Sequence, residues 1–171
     1  MPITKATLAD ASELTALINS AYRGTSSQQG WTSEAHLLDG IRIDKPTMLE
    51  YLQADKVTML KYTDDEGQIL ACVYLEVRND NRLYLGMLTV SPRLQANGIG
   101  RQLLHEAEVW ATSLGCPHIF MTVITTRHEL IAWYQRRGYR NTGKIQPFPT
   151  DTKFGVVKND PIELVVLEKE V

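Results

Sequence analysis

The spacing of apolar and polar positions divides the chain into segments of clear period. After a short extended run at residues 3–7, apolar residues recur at Leu14, Leu17, Ile18 and Ala21, the i, i+3, i+4, i+7 spacing of a one-sided helix. That helix is expected to start at Asp10, because Asp10-Ala11-Ser12-Glu13 reads as a capping box with its carboxylate three residues past the cap. From Tyr22 to Pro46 the pattern weakens into a polar, turn-rich stretch with room for one short helix at Ser33–Leu38, and "TMLEYLQ" adds a helical turn or two. Three β-rich runs follow: "VTMLKYT" at 57–63, "QILACVYLEV" at 68–77 and "RLYLGMLTV" at 82–90. The turns between them, Asp64 to Gly67 and Asn79 to Asn81, are short, so the runs are expected to form an antiparallel meander. Gly86 inside the third run predicts a bulge or a close backbone approach.

A second helical stripe holds Leu103, Leu104, Ala107, Trp110, Ala111 and Leu114, and Gly115 and Pro117 stop it. "HIFMTVIT" reads as a largely buried strand. The helix "HELIAWYQRR" ends at Gly138, with Arg136 and Arg137 at the negative end of its dipole. "YRNTGK" is extended, and "PIELVVLEKE" closes the chain as a strand able to pair within the chain or with a second subunit. A helical crossover from 82–90 to 118–125 makes those two strands parallel. The order predicts a mixed α/β (α+β) domain, one unit over residues 1–171.

Composition narrows the function classes. A net charge of -2 over 171 residues argues against a general nucleic-acid binder, which carries a basic face. Cys72 and Cys116 lie in apolar runs without metal-ligand spacing, so they read as reduced core residues and no metal site is expected. "MPITKATLADAS" has no apolar signal core, and no window approaches a membrane span of about 20 apolar residues. The expectation is a cytoplasmic protein that does not enter membranes.

The stretch "SPRLQANGIGRQLL", residues 91–104, carries the candidate chemistry. It joins a strand to a helix, where free backbone N–H groups and the helix dipole make an anion site. Arg101 adds a positive charge and Gln95 a side-chain donor. A phosphate-binding P-loop needs a Lys after the second glycine, and none follows Gly100. The dinucleotide fingerprint needs a third glycine that is missing here, which argues against a nicotinamide-dependent oxidoreductase. On these residues alone, a phosphate cradle and a glycine-softened turn both stand.

Taken as a unit, "LTVSPRLQANGIGRQLL" resembles the acetyl-CoA-binding segment of the GNAT superfamily of N-acetyltransferases. Gln95, Gly98 and Gly100 fill its Gln/Arg-x-x-Gly-x-Gly/Ala signature, and Leu88, Val90 and Pro92 its lead-in. The second family segment is a helix with a Tyr a few residues before Gly-Phe/Tyr, here Tyr134, Gly138 and Tyr139. The resemblance implies a mostly antiparallel sheet with a splayed parallel pair, flanked by helices. It also implies that the backbone of Leu88, Thr89 and Val90 holds the pantetheine arm, with Leu88 and its neighbours fixing the thioester carbonyl. The amides from Gln95 through Ala96, Asn97, Gly98, Ile99 and Gly100 to Arg101 would hold the pyrophosphate. Tyr134 would be the general acid for the departing thiolate, a task suited to a phenol of pKa about 10 against a thiol of about 8.5. A core aromatic is the alternative for Tyr134, since it shares a helical face with Leu130.

Two positions depart from the family pattern. Arg127 stands where many relatives carry an Asn on the pantetheine arm, and it either reaches the cofactor phosphates or is solvated. No carboxylate lies on "RLYLGMLTV", where many relatives carry a general base, which leaves Glu76, Glu34 and His128 as candidates. On the acceptor side the resemblance points to Tyr22, Arg23, Trp31, Glu34 and Arg42, with Phe148, Asp151 and Phe154 from a later loop. The expected activity is acetyl transfer from acetyl-CoA to a small or amino-acid-like amine. The alternatives are a protein N-terminal or lysine acetyltransferase and a non-catalytic acyl-CoA sensor. Dimers are common in the family, so a homodimer stays open.

Overall fold

A computed structural model describes residues 2–22, 38–39, 42–94, 97–147, 156–157 and 162–171, with only the backbone at Tyr22, Leu38, Asp39, Val156 and Val157. Strand β1 (Ile3–Lys5) leads through a short 3₁₀ turn into helix α1 (Ala11–Tyr22). Then come β2 (Leu38–Asp39), α2 (Lys45–Gln53), β3 (Val57–Thr63), β4 (Ile69–Val77) and β5 (Leu83–Val90). The second half is α3 (Ile99–Ser113), β6 (His118–Ile124), α4 (His128–Arg136), β7 (Arg140–Pro147), β8 (Val156–Val157) and β9 (Glu163–Glu170). The main sheet has seven strands in the order β1-β3-β4-β5-β6-β9-β7, and β2 pairs β8 separately. Every neighbouring pair is antiparallel except β5 with β6, the parallel pair that the crossover predicts. Among the described residues no helix is long and apolar enough to cross a membrane.

The sheet is buried on both faces at its centre. Along β4, Ala71, Val73 and Leu75 join a core with Leu103, Leu104, Ala107 and Ala111 of α3. The alternate residues, Cys72 and Tyr74, join a second core with Leu14, Leu17 and Ile18 of α1 and Met48 of α2. The period of two therefore builds two cores from one strand. Each buried aliphatic side chain contributes about 1.5–3 kcal/mol. Cys72 and Cys116 are free thiols inside these cores, and burial pushes the Cys72 thiol up to about 12.

Several expectations change. Helix α1 starts at Ala11, and the capping box lies three residues earlier, at the 3₁₀ turn Leu8–Asp10, where Thr7 N donates to Asp10 Oδ2 at 2.8 Å. Glu13 instead accepts from Ile69 N at 2.7 Å and ties α1 to β4. Leu38 belongs to β2 rather than to a helix; residues 33–37 of that expected helix are outside the described residues. Leu114, placed on the buried stripe of α3, is exposed. The closing strand is seated within the chain, as β9 between β6 and β7.

Candidate active site

Strands β5 and β6 are in register only at Leu83–Ile119 and Tyr84–Phe120. Beyond these pairs β5 keeps β4 as far as Val90, and β6 keeps β9 as far as Ile124. Each strand thus holds its outer partner while losing the inner one, and a cleft opens between them. The cause is local. Between the pairs Tyr74–Gly86 and Cys72–Thr89, β5 carries one residue more than β4, a bulge that re-aims the strand. Met87 takes the strain, with φ at 49°, a left-handed conformation that costs a non-glycine residue about 1–2 kcal/mol. Buried Thr89 supports it by donating Oγ1 to Met87 O at 2.8 Å. Gly86 itself serves the close approach. A Cβ there would stand 2.9 Å from Cε2 of Tyr84, so the Tyr84 ring lies along the strand over residue 86.

Helix α3 starts at the open end of this cleft. Its cap is Gly98, with φ at 81° and no side chain to satisfy the first amides. A left-handed cap of this kind demands glycine. The first turn contains no acid and carries Arg101, which the positive end of the helix dipole disfavours unless an anion is present. Gly100 has different surroundings. A Cβ there would meet Val90 Cγ2 at 3.5 Å and Trp133 Cζ2 at 3.8 Å, which are ordinary contacts. The protein's own packing therefore does not require glycine at 100.

Helix α4 closes the other side. Tyr134 is 5% exposed, its ring edge-on to Trp133 at 5.1 Å and to Tyr139 at 5.7 Å between centroids. A polar network holds the helix end. Tyr139 Oη donates to Glu108 Oε2 at 2.9 Å, and Lys169 Nζ lies 3.1 Å from Glu108 Oε1 and donates to Arg137 O at 2.9 Å. Burial first, then the adjacent Glu108 charge, push the Tyr139 phenol far above its ordinary value, so it stays protonated and structural. The Trp133 ring beside Gly100 brings α4 against the start of α3, where the end of β5 also lies through Val90, and among the described residues no side chain caps that helix start.

The sequence profile of the acetyltransferase (GNAT) family matches residues 19–139. The chain belongs to this family, and it is an acyltransferase. Among GNAT structures it is similar to the ribosomal-protein-S18-alanine N-acetyltransferase of Escherichia coli, at 15% identity and TM-score 0.72, covering 99% of this chain and 92% of that one. It is similar to a GNAT-family acetyltransferase of Streptococcus pneumoniae, at 24% identity and TM-score 0.72, over 99% and 98% of the two chains. A ribosomal-protein-alanine N-acetyltransferase of Brucella melitensis aligns over 100% of both chains, at 19% identity and TM-score 0.73. These likenesses speak for the fold. A comparison with curated proteins finds no match.

The residues expected to serve a GNAT reaction are distributed as follows. Leu88 and Val90 flank the cleft half-buried, whereas the Thr89 side chain is buried and supports the bulge. Asn97, Gly98, Ile99, Gly100 and Arg101 form the start of α3 and the turn before it. Arg127, the cap residue of α4, is buried rather than solvated, at 8% exposure. Of the base candidates, Glu76 is held by Arg78 at 2.7 Å, and His128 is exposed in the first turn of α4. Arg42 donates its backbone N–H to Asn19 Oδ1 at 2.7 Å, which ties it to α1. Gln95, Ala96, Arg23, Trp31, Glu34, Phe148, Asp151 and Phe154 lie outside the described residues, as does the Tyr22 side chain.

Sequence reasoning missed a row of rings on the face opposite Tyr134. Tyr51, Tyr74, Tyr84 and Phe120 follow one another at 4.8, 6.0 and 5.4 Å from α2 across to β6. The signal was present in the strand period, since Tyr74 on β4 and Tyr84 on β5 each lie two residues from another position of that face.

Proposed function

We propose that the protein transfers an acetyl group from acetyl-CoA to the primary amine of a small or amino-acid-like acceptor by direct attack. The observation that carries this reading is the cleft between β5 and β6, with the uncapped start of α3 at its mouth. The site fits a diphosphate-bearing donor. Gly98 offers amides without a competing side chain, Arg101 lacks a nearby acid in its turn, and the missing Cβ at 100 is clearance that the protein's packing does not use. When bound, acetyl-CoA supplies an activated acyl group as a thioester.

In this reading the backbone of Leu88, Thr89 and Val90 binds the pantetheine arm as an added strand, and Leu88 and its neighbours polarise the acyl carbonyl. The amides from Gln95 to Arg101 hold the pyrophosphate. Tyr134 holds a proton at Oη for the leaving sulfur. Arg127, buried at the start of α4, would reach the cofactor phosphates. The acceptor amine, of pKa about 10.4, must shed a proton before attack. Among the described base candidates Glu76 is engaged by Arg78 and His128 is exposed, so in this reading that proton leaves to water. The same pairing favours a second reading, a sensor that binds acyl-CoA without turnover.

Titration calorimetry with acetyl-CoA, followed by a free-thiol assay against a panel of amines and a peptide with a free N-terminal alanine, tests both readings. Turnover is expected in the wild type. Tyr134→Phe should lose about 10²-fold in kcat with acetyl-CoA affinity retained. Binding without turnover across the panel supports the sensor; no binding sinks both readings.

A further inference from the structure

Arginines at the turn between β4 and β5 are ion-paired. Arg78 Nε lies 2.7 Å from Glu76 Oε1, and Arg82 bridges Asp80 at 2.6 Å and Glu168 at 2.8 Å. Three more gather at the far end of β5: Arg101 in the first turn of α3, and Arg136 and Arg137 where α4 stops. Among the described residues these three make no ion pair. Arg137 is fixed in place. Its guanidinium lies 4.3 Å over the Trp133 ring and donates Nη1 to Trp133 O at 3.0 Å, while its Nε is buried without a hydrogen-bond partner. Trp133 in turn packs towards Gly100 at the start of α3, which brings this guanidinium to the mouth of the cleft. Burial, and after it the charges of Arg101 and Arg136, pull the Arg137 pKa below its ordinary value, although the group stays charged at neutral pH. A chain of net charge -2 thus holds a positive cluster that no carboxylate among the described residues neutralises, with donors already oriented.

We propose that Arg136 and Arg137, beside Arg101, seat the 3′-phosphomonoester of coenzyme A, apart from the pyrophosphate at the start of α3. The charges match. A phosphomonoester carries about -1.5 to -2 at neutral pH and takes paired N–H donors from planar guanidinium groups. Arg101 and the α3 amides then remain for the pyrophosphate. The inference rests on the acetyl-CoA reading above.

Calorimetry of the wild type with CoA and with 3′-dephospho-CoA is the test. CoA should bind about tenfold or more tightly than 3′-dephospho-CoA at low salt, with the gap narrowing as salt rises. Arg137→Gln should close most of the gap by weakening CoA alone, and Arg136→Gln, at an exposed position, should close part of it without loss of folding. Melting curves of both variants identify any damage to the fold. Equal wild-type affinity for the two ligands overturns the proposal and leaves the acetyl-CoA reading standing. Loss of both ligands in equal proportion in Arg136→Gln also overturns it. Absence of binding to either ligand removes the acetyl-CoA reading, and the proposal with it.

Discussion

Where β5 pairs with β6, Arg82 bridges Asp80 and Glu168 and lies 4.1 Å over Phe120, while Arg78 holds Glu76 and lies 4.5 Å over Tyr84. Where β5 leaves β6, Arg101, Arg136 and Arg137 have no carboxylate among the described residues, and one buried Nε has no partner. The same residue type is thus closed at one end and open at the other. Half-exposed ion pairs contribute about 0–1 kcal/mol each, and a cation over a ring adds about 0.5–1 kcal/mol, so the closed end gains modestly from its arginines. The open end gains nothing from mutual repulsion in the isolated protein. The contrast separates residues that hold the fold from residues that wait for a ligand. Substitutions at the closed end should cost stability and spare binding, and those at the open end should do the reverse.

The largest effect is expected from Phe120→Ala. Phe120 is 7% exposed, closes the last registered pair of β5 and β6, and meets the Arg82 guanidinium at 4.1 Å and the Tyr84 ring at 5.4 Å. Its truncation should lower unfolding free energy by about 3 kcal/mol, read from urea denaturation. Acetyl-CoA affinity of the folded fraction should stay within about twofold of wild type, because the ring lies on the face opposite Tyr134. A matching loss of affinity would mean that the closed end shapes the ligand site, and the contrast between the ends would fail.

Gly100→Ala tests the open end in the opposite direction. The new Cβ meets only ordinary contacts at 3.5 and 3.8 Å, and a helical alanine is favoured over glycine by up to about 1 kcal/mol. Thermal stability should therefore hold or rise. Acetyl-CoA affinity should fall about tenfold, a change of about 1.4 kcal/mol, because the methyl group stands where phosphate oxygens approach the backbone. Unchanged affinity in calorimetry would reduce Gly100 to a residue without a role in binding.

Features set by neighbours in the chain were legible in the sequence, and features set by distant partners were not. The bounds of β3, 57–63, follow from β-rich composition and turns on either side, and the apolar stripe locates α3. The cap of α1 was misread because Glu13 is claimed by Ile69 N, 56 residues away. The extra residue of β5 was anticipated at Gly86 but is expressed at Met87, since pairing with β4 and the Thr89 hydroxyl decide where the strain falls. Leu38 is a strand residue through Val157, a partner that no local pattern shows. At the candidate site the motif glycines and Tyr134 were legible through the resemblance to the GNAT family, not through spacing alone. The arginine cluster was not, because Arg136 and Arg137 suit a helix end locally, and only the packing of α4 beside α3 brings them to Arg101.

The smallest effect expected is a pH signature of the closed end. The hydrogen bond from Arg82, first among its causes, holds the exposed Asp80 carboxyl below the usual range. A carboxylate whose folded pKa is depressed contributes stability above its unfolded pKa, about 3.9, and loses it as pH falls through the lower folded value. Asp10 behaves the same way through separate partners. Burial pushes its pKa up, but the Thr7 N–H and the Lys61 ammonium outweigh that and leave it lowered. Wild-type stability should therefore decline as pH drops below about 4. Arg82→Leu should start lower at neutral pH and decline less steeply, so the two curves converge in acid, and among the described carboxylates Asp10 contributes to the slope that remains. Arg136→Leu removes an arginine that has no carboxylate partner among the described residues, so its curve should run parallel to wild type. Urea midpoints measured from pH 6 to pH 2 read all three. Parallel curves for Arg82→Leu would show that the pairing at the closed end adds nothing to stability, and a converging curve for Arg136→Leu would reveal a carboxylate partner at the end read as open.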